Sequence, residues 1–410
     1  MEIYLPIAGV EIMAWKLVLL GFTVGVIGGF FGIGGAFMVT PALNVFGFPM
    51  AYAIGTDMAH VVGKSIVATL KHRKMGHVDV RLGLVMVIFT AFGIELGATT
   101  IMWLEKIGKV GSVVRIVYII FLFSVGLIML YEYYTLTRHS SKLKVKEPAA
   151  CRLARKLQGI RLRPMITLRV SGVTISLWVI GSVAFVTGCF AGFLGVGGGF
   201  IRMPALMYFI GCPTTIAVGT DLFEVMISGA YGAFSYAAKA RVEIFAAIVM
   251  LSGAAIGAQF GTLATKYVKG LTIRLYFAVT MMLSAVSVIF KQISAGYRSD
   301  YEPALYAWAS STTGLIAKSE IKDWIVLNKT AVKAWIAQQS EIVQSAFAVE
   351  KVWNNCSGYL MLGAACGLSA LIIVKMVRGI MSERNSHLSL RKGPKVLEKN
   401  ASSVADDVHS

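Results

Sequence analysis

Apolar residues along this chain fall into runs separated by short polar breaks. The runs span about 15–31, 36–48, 51–70, 82–104 and 113–134; after a basic stretch at 135–170 they resume at about 172–194, 199–211, 214–237, 244–265 and 273–290. A stretch of mixed polarity, 291–354, precedes one last apolar run at about 356–377 and a polar tail. Most runs approach the ~20 apolar residues that a helix needs to cross hydrocarbon. The pattern predicts an all-α integral membrane protein. The runs at 36–48 and 199–211 are short, and read as separate segments that are candidates for re-entry into the membrane.

The two sets of runs are copies of each other. Gly29–Leu43 reads GFFGIGGAFMVTPAL and Gly192–Leu206 reads GFLGVGGGFIRMPAL. Further on, Gly55-Thr56-Asp57 matches Gly219-Thr220-Asp221, Val78-Asp79 matches Val242-Glu243, and Gly93 and Gly97 match Gly257 and Gly261. A register held this far indicates duplication.

Charge orients the copies. Lys and Arg crowd the 135–170 stretch, where Glu147 is the single acid, and they outnumber acids between Lys375 and Lys399. Both therefore read as cytoplasmic under the positive-inside rule. The 292–354 stretch carries six residues of each sign, as an exported segment can. Placing both basic stretches inside requires an even number of crossings after residue 171. Five segments per repeat plus the last helix satisfy this, and an odd number per repeat makes the repeats inverted. The loop at 105–115 puts three basic residues outside and is a mild misfit. The predicted organisation is a first transmembrane repeat (1–134), a basic cytoplasmic linker (135–170), a second repeat (171–291), an extracytoplasmic helical insertion (292–354), a final transmembrane helix (355–382) and a disordered cytoplasmic tail (383–410). The insertion is assigned as helical from the spacing of Trp324, Leu327, Trp335 and Ile336.

Composition agrees. The chain has 410 residues, 56% hydrophobic and only 15% charged, against about 25% charged in soluble domains. The net charge of +18 sits in loops and tail, so it does not indicate nucleic-acid binding. The five cysteines form no CxxC pair, and neither a metal site nor a cofactor follows. HExxH and GxSxG are absent, so the chain is not read as an enzyme.

The glycine clusters carry the clearest chemical signal. Gly32–Gly35 and Gly195–Gly199 interrupt apolar runs, and Pro41 and Pro204 follow. A continuous helix through them is costly. Broken backbone at membrane depth is tolerated only against protein or a water-filled cavity. Paired breaks in two halves point to a transporter site between the halves, where free N–H groups at a half-helix start suit an anion. Gly34, Gly35, Gly197, Gly198 and Gly199 are the candidate backbone ligands. Arg202, four residues after Gly198, suits an oxyanion through its planar fork; snorkelling to headgroups is the alternative. Asp57, His60 and Lys64 stand at i, i+3, i+7, and Asp221, Glu224 and Ser228 occupy the same positions in the second repeat. Ionisable residues inside spans usually line cavities or pair. Thr56, Asp57, Thr220 and Asp221 are candidate binding residues, with helix capping as the alternative for the aspartates. His60, Glu224 and Lys64 are candidate coupling residues, Lys64 having Asp57 or Glu95 as candidate partners.

The duplicated GFxGxGGGxxxxPxL element, the following GT-D and the G/A-x-V-D/E loops (Gly76–Asp79, Ala240–Glu243) resemble the TauE/SafE family of sulfite exporters and related anion permeases, over about residues 15–290. The resemblance implies a multi-spanning permease for sulfite, sulfonates or other small anions. The insertion at 292–354 departs from the compact family pattern. The reading is a secondary transporter in the cytoplasmic membrane, exporting a small sulfur-containing or organic anion with proton coupling. Its partners are the anion and membrane lipid, with a homo-oligomer left open. The alternatives are an anion channel and a membrane sensor that uses the insertion.

Overall fold

The computed structural model describes residues 2–31, 36–139, 157–159, 162–168, 170–195, 197, 199–265, 267–268, 270–315 and 318–406. The chain is mostly helical, and among the described residues seven helices are long and apolar enough to cross a membrane. It is not purely helical. Strands β1 (Glu2–Leu5) and β2 (Val10–Met13) form an antiparallel hairpin before α1 (Ala14–Phe31), and β3 (Met165–Leu168) and β4 (Val173–Ser176) form another before α6 (Leu177–Leu194). Gly9 and Gly172 turn these hairpins at φ +61° and +69°, a region that suits glycine. Ile3, Leu5, Gly9, Val10 and Ile12 match Ile166, Leu168, Gly172, Val173 and Ile175, so the duplication begins at the hairpins.

Each half then continues in the same order. After α1 come α2 (Ala36–Val45), α3 (Met50–Lys74), α4 (Val80–Lys106) and α5 (Val110–His139). After α6 come α7 (Gly199–Ala205), a π-helical turn (Leu206–Ile210), α8 (Thr214–Ala238), α9 (Ile244–Ala264) and α10 (Gly270–Thr313). The short segments foreseen around Pro41 and Pro204 are thus real helices of less than membrane length, and each holds its proline inside.

The halves interlock through glycine. The first helix of each packs along the fourth helix of the other, α1 on α9 and α6 on α4. Gly21, Gly25 and Gly29 face the backbone of Met250, Ala254 and Ala258; Gly253, Gly257 and Gly261 face the backbone around Val18, Phe22 and Val26. Gly93, Gly97, Gly188 and Gly192 repeat the arrangement between α4 and α6. Without a hydrophobic drive between helices in lipid, small residues let backbones approach and gain van der Waals contact.

Loops gather at two opposite ends. At one end the first hairpin meets Glu243, whose Oε2 accepts from the N–H groups of Ile7 and Ala8, and Arg241 bonds Glu105. At the other end the second hairpin meets Asp79, whose Oδ2 accepts from the N–H and hydroxyl of Ser171. α3 and α4 run between these ends, so the hairpins and the loops that hold them lie on opposite faces of the helix layer.

The insertion is not a separate unit. α10 runs on past the apolar run to Thr313, and α13 (Glu341–Asp406) begins well before the final run. Between them lie α11 (Lys318–Leu327) and α12 (Lys329–Ala337). The overhanging ends of α10 and α13 and these helices enclose a small core of Tyr301, Leu305, Val332, Trp335, Ile336 and Ala346. Trp308 lies against Trp335 and Trp324, with centroids 5.4 and 5.6 Å away. Lys329 bonds Glu11 of the first hairpin at 2.5 Å, which sets the insertion at that end. The backbone of α13 is helical to Asp406, through the segment from 383 that reads from the sequence as a tail. Most of the 135–170 linker and residues 407–410 lie outside the described residues.

Candidate functional site

Helices α3 and α8 occupy matched positions and pack on each other. Asp57 and Asp221 lie seven residues inside their helix starts, about 10 Å at 1.5 Å per residue. His60 and Glu224 lie near the helix midpoints. Asp57, His60, Lys64, Arg202, Asp221, Glu224 and Ser228 are all buried. The sequence expectation of ionisable residues on one inward face therefore matches their placement.

The second-repeat cluster is an ion triad. Arg202, carried on α7, reaches Asp221 Oδ1 at 3.4 Å and Glu224 Oε2. Ser228 Oγ donates to the same Glu224 oxygen at 3.2 Å. Burial of two carboxylates around one guanidinium is tolerable because each charge meets its opposite. Arg202 is fully buried, so it does not snorkel, and it is not a free cation beside the break. Its Nε and Nη2 make no hydrogen bond among the described residues, nor do Asp221 Oδ2 and Glu224 Oε1.

The first-repeat cluster is looser. Val39 stands where the second repeat has Arg202, and the next residue, Thr40, donates its hydroxyl to Asp57 Oδ2 at 2.9 Å. His60 Nδ1 lies 3.7 Å from Asp57 Oδ1, beyond hydrogen-bond length. Lys64 Nζ has no hydrogen-bond partner among the described residues. Lys64 lines a small cavity with Gly25, Gly28, Gly29, Leu222 and Ala258. Glu95 is not its partner: that carboxylate is partly exposed and pairs with Lys239 at 2.8 Å.

Of the breaks, the first cluster, including Gly34 and Gly35, lies outside the described residues, as does Gly198. In the second, Gly195 ends α6 at φ +77° and Gly197 stands at φ +61°. A Cβ on Gly197 would sit 3.0 Å from Val225 and 3.2 Å from Val61, so this break reaches the crossing of α3 and α8 through repeat-matched valines. The last carbonyls of α6 are satisfied from outside: Tyr118 donates to Leu194 O at 2.5 Å and Tyr236 to Gly192 O at 2.6 Å. These tyrosines cap orphan carbonyls. Sequence reading did not single them out, since neither has a repeat-matched tyrosine.

Thr56 and Thr220 are placed differently from the charged residues. Thr56 Oγ1 accepts the Glu243 N–H at 3.0 Å, and Thr220 Oγ1 accepts the Asp79 N–H at 2.9 Å. Gly55 and Gly219 lie against the backbone of Arg241 and His77. The glycine and threonine of each GTD thus hold the V-D/E loop of the other repeat, while the aspartate faces the buried cluster.

A model of the family described as sulfite exporter TauE/SafE matches residues 17–288. The chain is 24% identical over 285 residues to the Probable membrane transporter protein YunE of Bacillus subtilis (strain 168), covering 68% of this chain and 97% of that protein. It is 28% identical over 252 residues to a Probable membrane transporter protein of Xylella fastidiosa (strain 9a5c), covering 61% and 82%. With a Probable membrane transporter protein of Methanocaldococcus jannaschii it shares 24% over 230 residues, covering 54% and 71%. No solved structure matches the chain.

Proposed function

Since this chain belongs to the sulfite exporter TauE/SafE family, we propose that it is a proton-linked carrier that exports a small sulfur-containing or organic anion across the cytoplasmic membrane. The observation that carries the reading is the pair of buried charged clusters on matched helices, each holding polar atoms without a hydrogen-bond partner among the described residues. Lys64, with no hydrogen-bond partner, and the remaining donors of Arg202 supply the positive contacts for the anion. Gly197 and Gly199 let the backbone approach it.

Charge balance supports proton coupling. Counted together, the two clusters hold Asp57, Asp221 and Glu224 against Lys64 and Arg202, so with every group ionised and His60 neutral they carry one excess negative charge. An anion joins such a site favourably when a proton is taken up with it. Glu224 and His60, at the helix midpoints, are the residues assigned to that proton. Opposite placement of the two hairpins and their loops supports inverted repeats, one rocking against the other. An inside-negative potential favours outward movement of whatever net negative charge the anion and its proton carry together, by about 2.3 kcal/mol per charge per 100 mV.

The test is uptake by proteoliposomes offered sulfite, sulfate, thiosulfate, sulfoacetate and taurine. A saturable flux of at least one anion, stimulated by a pH gradient, is expected. Flux that tracks voltage alone indicates a channel instead, and absence of flux for the whole panel overturns the substrate class.

A further inference from the structure

A second group of cations lies away from the buried clusters, at the end that holds the insertion. Arg115 of α5 is 8% exposed. Its Nε donates to Gln292 Oε1 at 2.7 Å and its Nη1 reaches Asn44 Oδ1 at 3.4 Å. Lys291 of α10 donates to Asn354 Oδ1 at 2.5 Å. Both cations are thus held by neutral amides. Among the described residues neither has a carboxylate within ion-pair distance; Glu350, on the neighbouring face of α13, accepts from the Tyr301 hydroxyl instead. Arg115 and Lys291 line one small cavity with Pro41, Asn44, Tyr118 and Val288.

We propose that this cavity is a second binding site for a small oxyanion, an outer station on the path to the buried clusters. Two cations in one recess, with no carboxylate at ion-pair distance among the described residues, repel each other and are poorly solvated, and an anion relieves both costs. A guanidinium and an ammonium each keep donors beyond the bonds that hold them, so a tetrahedral or pyramidal oxyanion can be gripped from two sides. The cavity borders Pro41 of α2, next to Thr40, which bonds Asp57. An ion released from the buried cluster along α2 meets this recess first. Met207, which offers no amide, stands at the repeat position of Asn44. Lys291, Gln292 and Asn354 all lie beyond the family match, which ends at residue 288. The added C-terminal segment therefore completes the site. Its place on a transport path rests on the carrier reading above; its binding of an anion does not.

The experiment is equilibrium binding of radiolabelled inorganic sulfate to the purified full-length chain in detergent. Lys291→Gln and Arg115→Gln are each expected to weaken one class of sites about tenfold or more, with Arg115→Lys recovering part of the loss. Lys64→Met leaves this class in place, so failure of the carrier reading and failure of this one give different patterns. A second measurement needs no variant. Sulfate should slow acetylation of Lys291 by several-fold relative to exposed Lys351 in the wild-type chain, read by mass spectrometry. Equal acetylation of Lys291 with and without sulfate overturns the proposal, as does unchanged sulfate affinity in folded Lys291→Gln.

Discussion

Lys64 and Arg202 are buried cations of the two clusters, and their surroundings are opposite. Arg202 is neutralised by Asp221 and Glu224; Lys64 has no hydrogen-bond partner among the described residues. Removing one member of a buried ion cluster strands the others, at about 3–5 kcal/mol. Arg202→Gln is therefore expected to lower the melting temperature by several degrees, so its transport defect mixes folding with binding. Lys64→Met removes a charge that makes no hydrogen bond among the described residues and acts on Asp57 only through space. Its melting temperature should fall less than that of Arg202→Gln, while its KM for the anion rises about tenfold or more, the loss of one charge-assisted contact. Thermal unfolding in detergent beside transport kinetics checks both, and a wild-type KM in Lys64→Met removes Lys64 from the path. Asp57, His60, Lys64, Asp221, Glu224 and Ser228 were legible in the sequence, because i, i+3, i+7 spacing and repeat matching put them on one face of each helix, and Arg202 was legible from its place after the glycine cluster; Thr40, which bonds Asp57, was not. Their pairing was not. Val39 and Arg202 differ at matched positions, and only the fold shows that the arginine balances a glutamate whose own repeat partner is a histidine. Thr56 and Thr220 were legible as a motif but not as clamps, since their partners are backbone N–H groups some 140 to 190 residues away.

At the scale of elements, the spaced glycines set how closely the halves interlock. A Cβ on Gly25 would lie 2.7 Å from Ala254 Cα, and one on Gly257 would lie 2.9 Å from the Val26 nitrogen. Neither backbone can yield without separating α1 from α9. Gly25→Leu and Gly257→Leu should each abolish or sharply reduce the folded yield, whereas Gly363→Ala on α13, where a Cβ meets nothing within 4 Å, should be silent. Fluorescence-detected size-exclusion chromatography of fused chains measures this. The long apolar helices were legible from hydropathy, as were the two short prolines-containing segments. The hairpins were not, because four-residue strands leave no long apolar signature beside a span. Their signal was the repeat itself, which continues at the same offset through Leu5 and Leu168.

The whole molecule has two unlike ends. One carries the first hairpin, the insertion and the amide-held cations; the other carries the second hairpin, the 75–79 loop and the α9–α10 turn, where Tyr267 bonds Glu383 at 3.0 Å. The positive-inside count assigns the second end to the cytoplasm. In a cysteine-free background, Ser311→Cys should react with an impermeant maleimide in intact cells, and Thr174→Cys, exposed on the second hairpin, only after lysis. The reverse pattern inverts the molecule in the membrane and with it the direction of export. The insertion was legible as helical and balanced in charge, but its continuity with two spans was not, since polarity falls along α10 and α13 without a break in the helix.

The central claim is that an anion and a proton move together through the buried clusters. The most direct measurement follows luminal pH with a trapped dye in proteoliposomes while an outward gradient of the panel's fastest non-permeant anion is imposed. Wild-type protein should move protons with the anion in a fixed ratio, and Glu224→Gln should lose the proton movement before it loses anion binding. Anion flux with no accompanying proton movement in the wild-type chain would contradict the account.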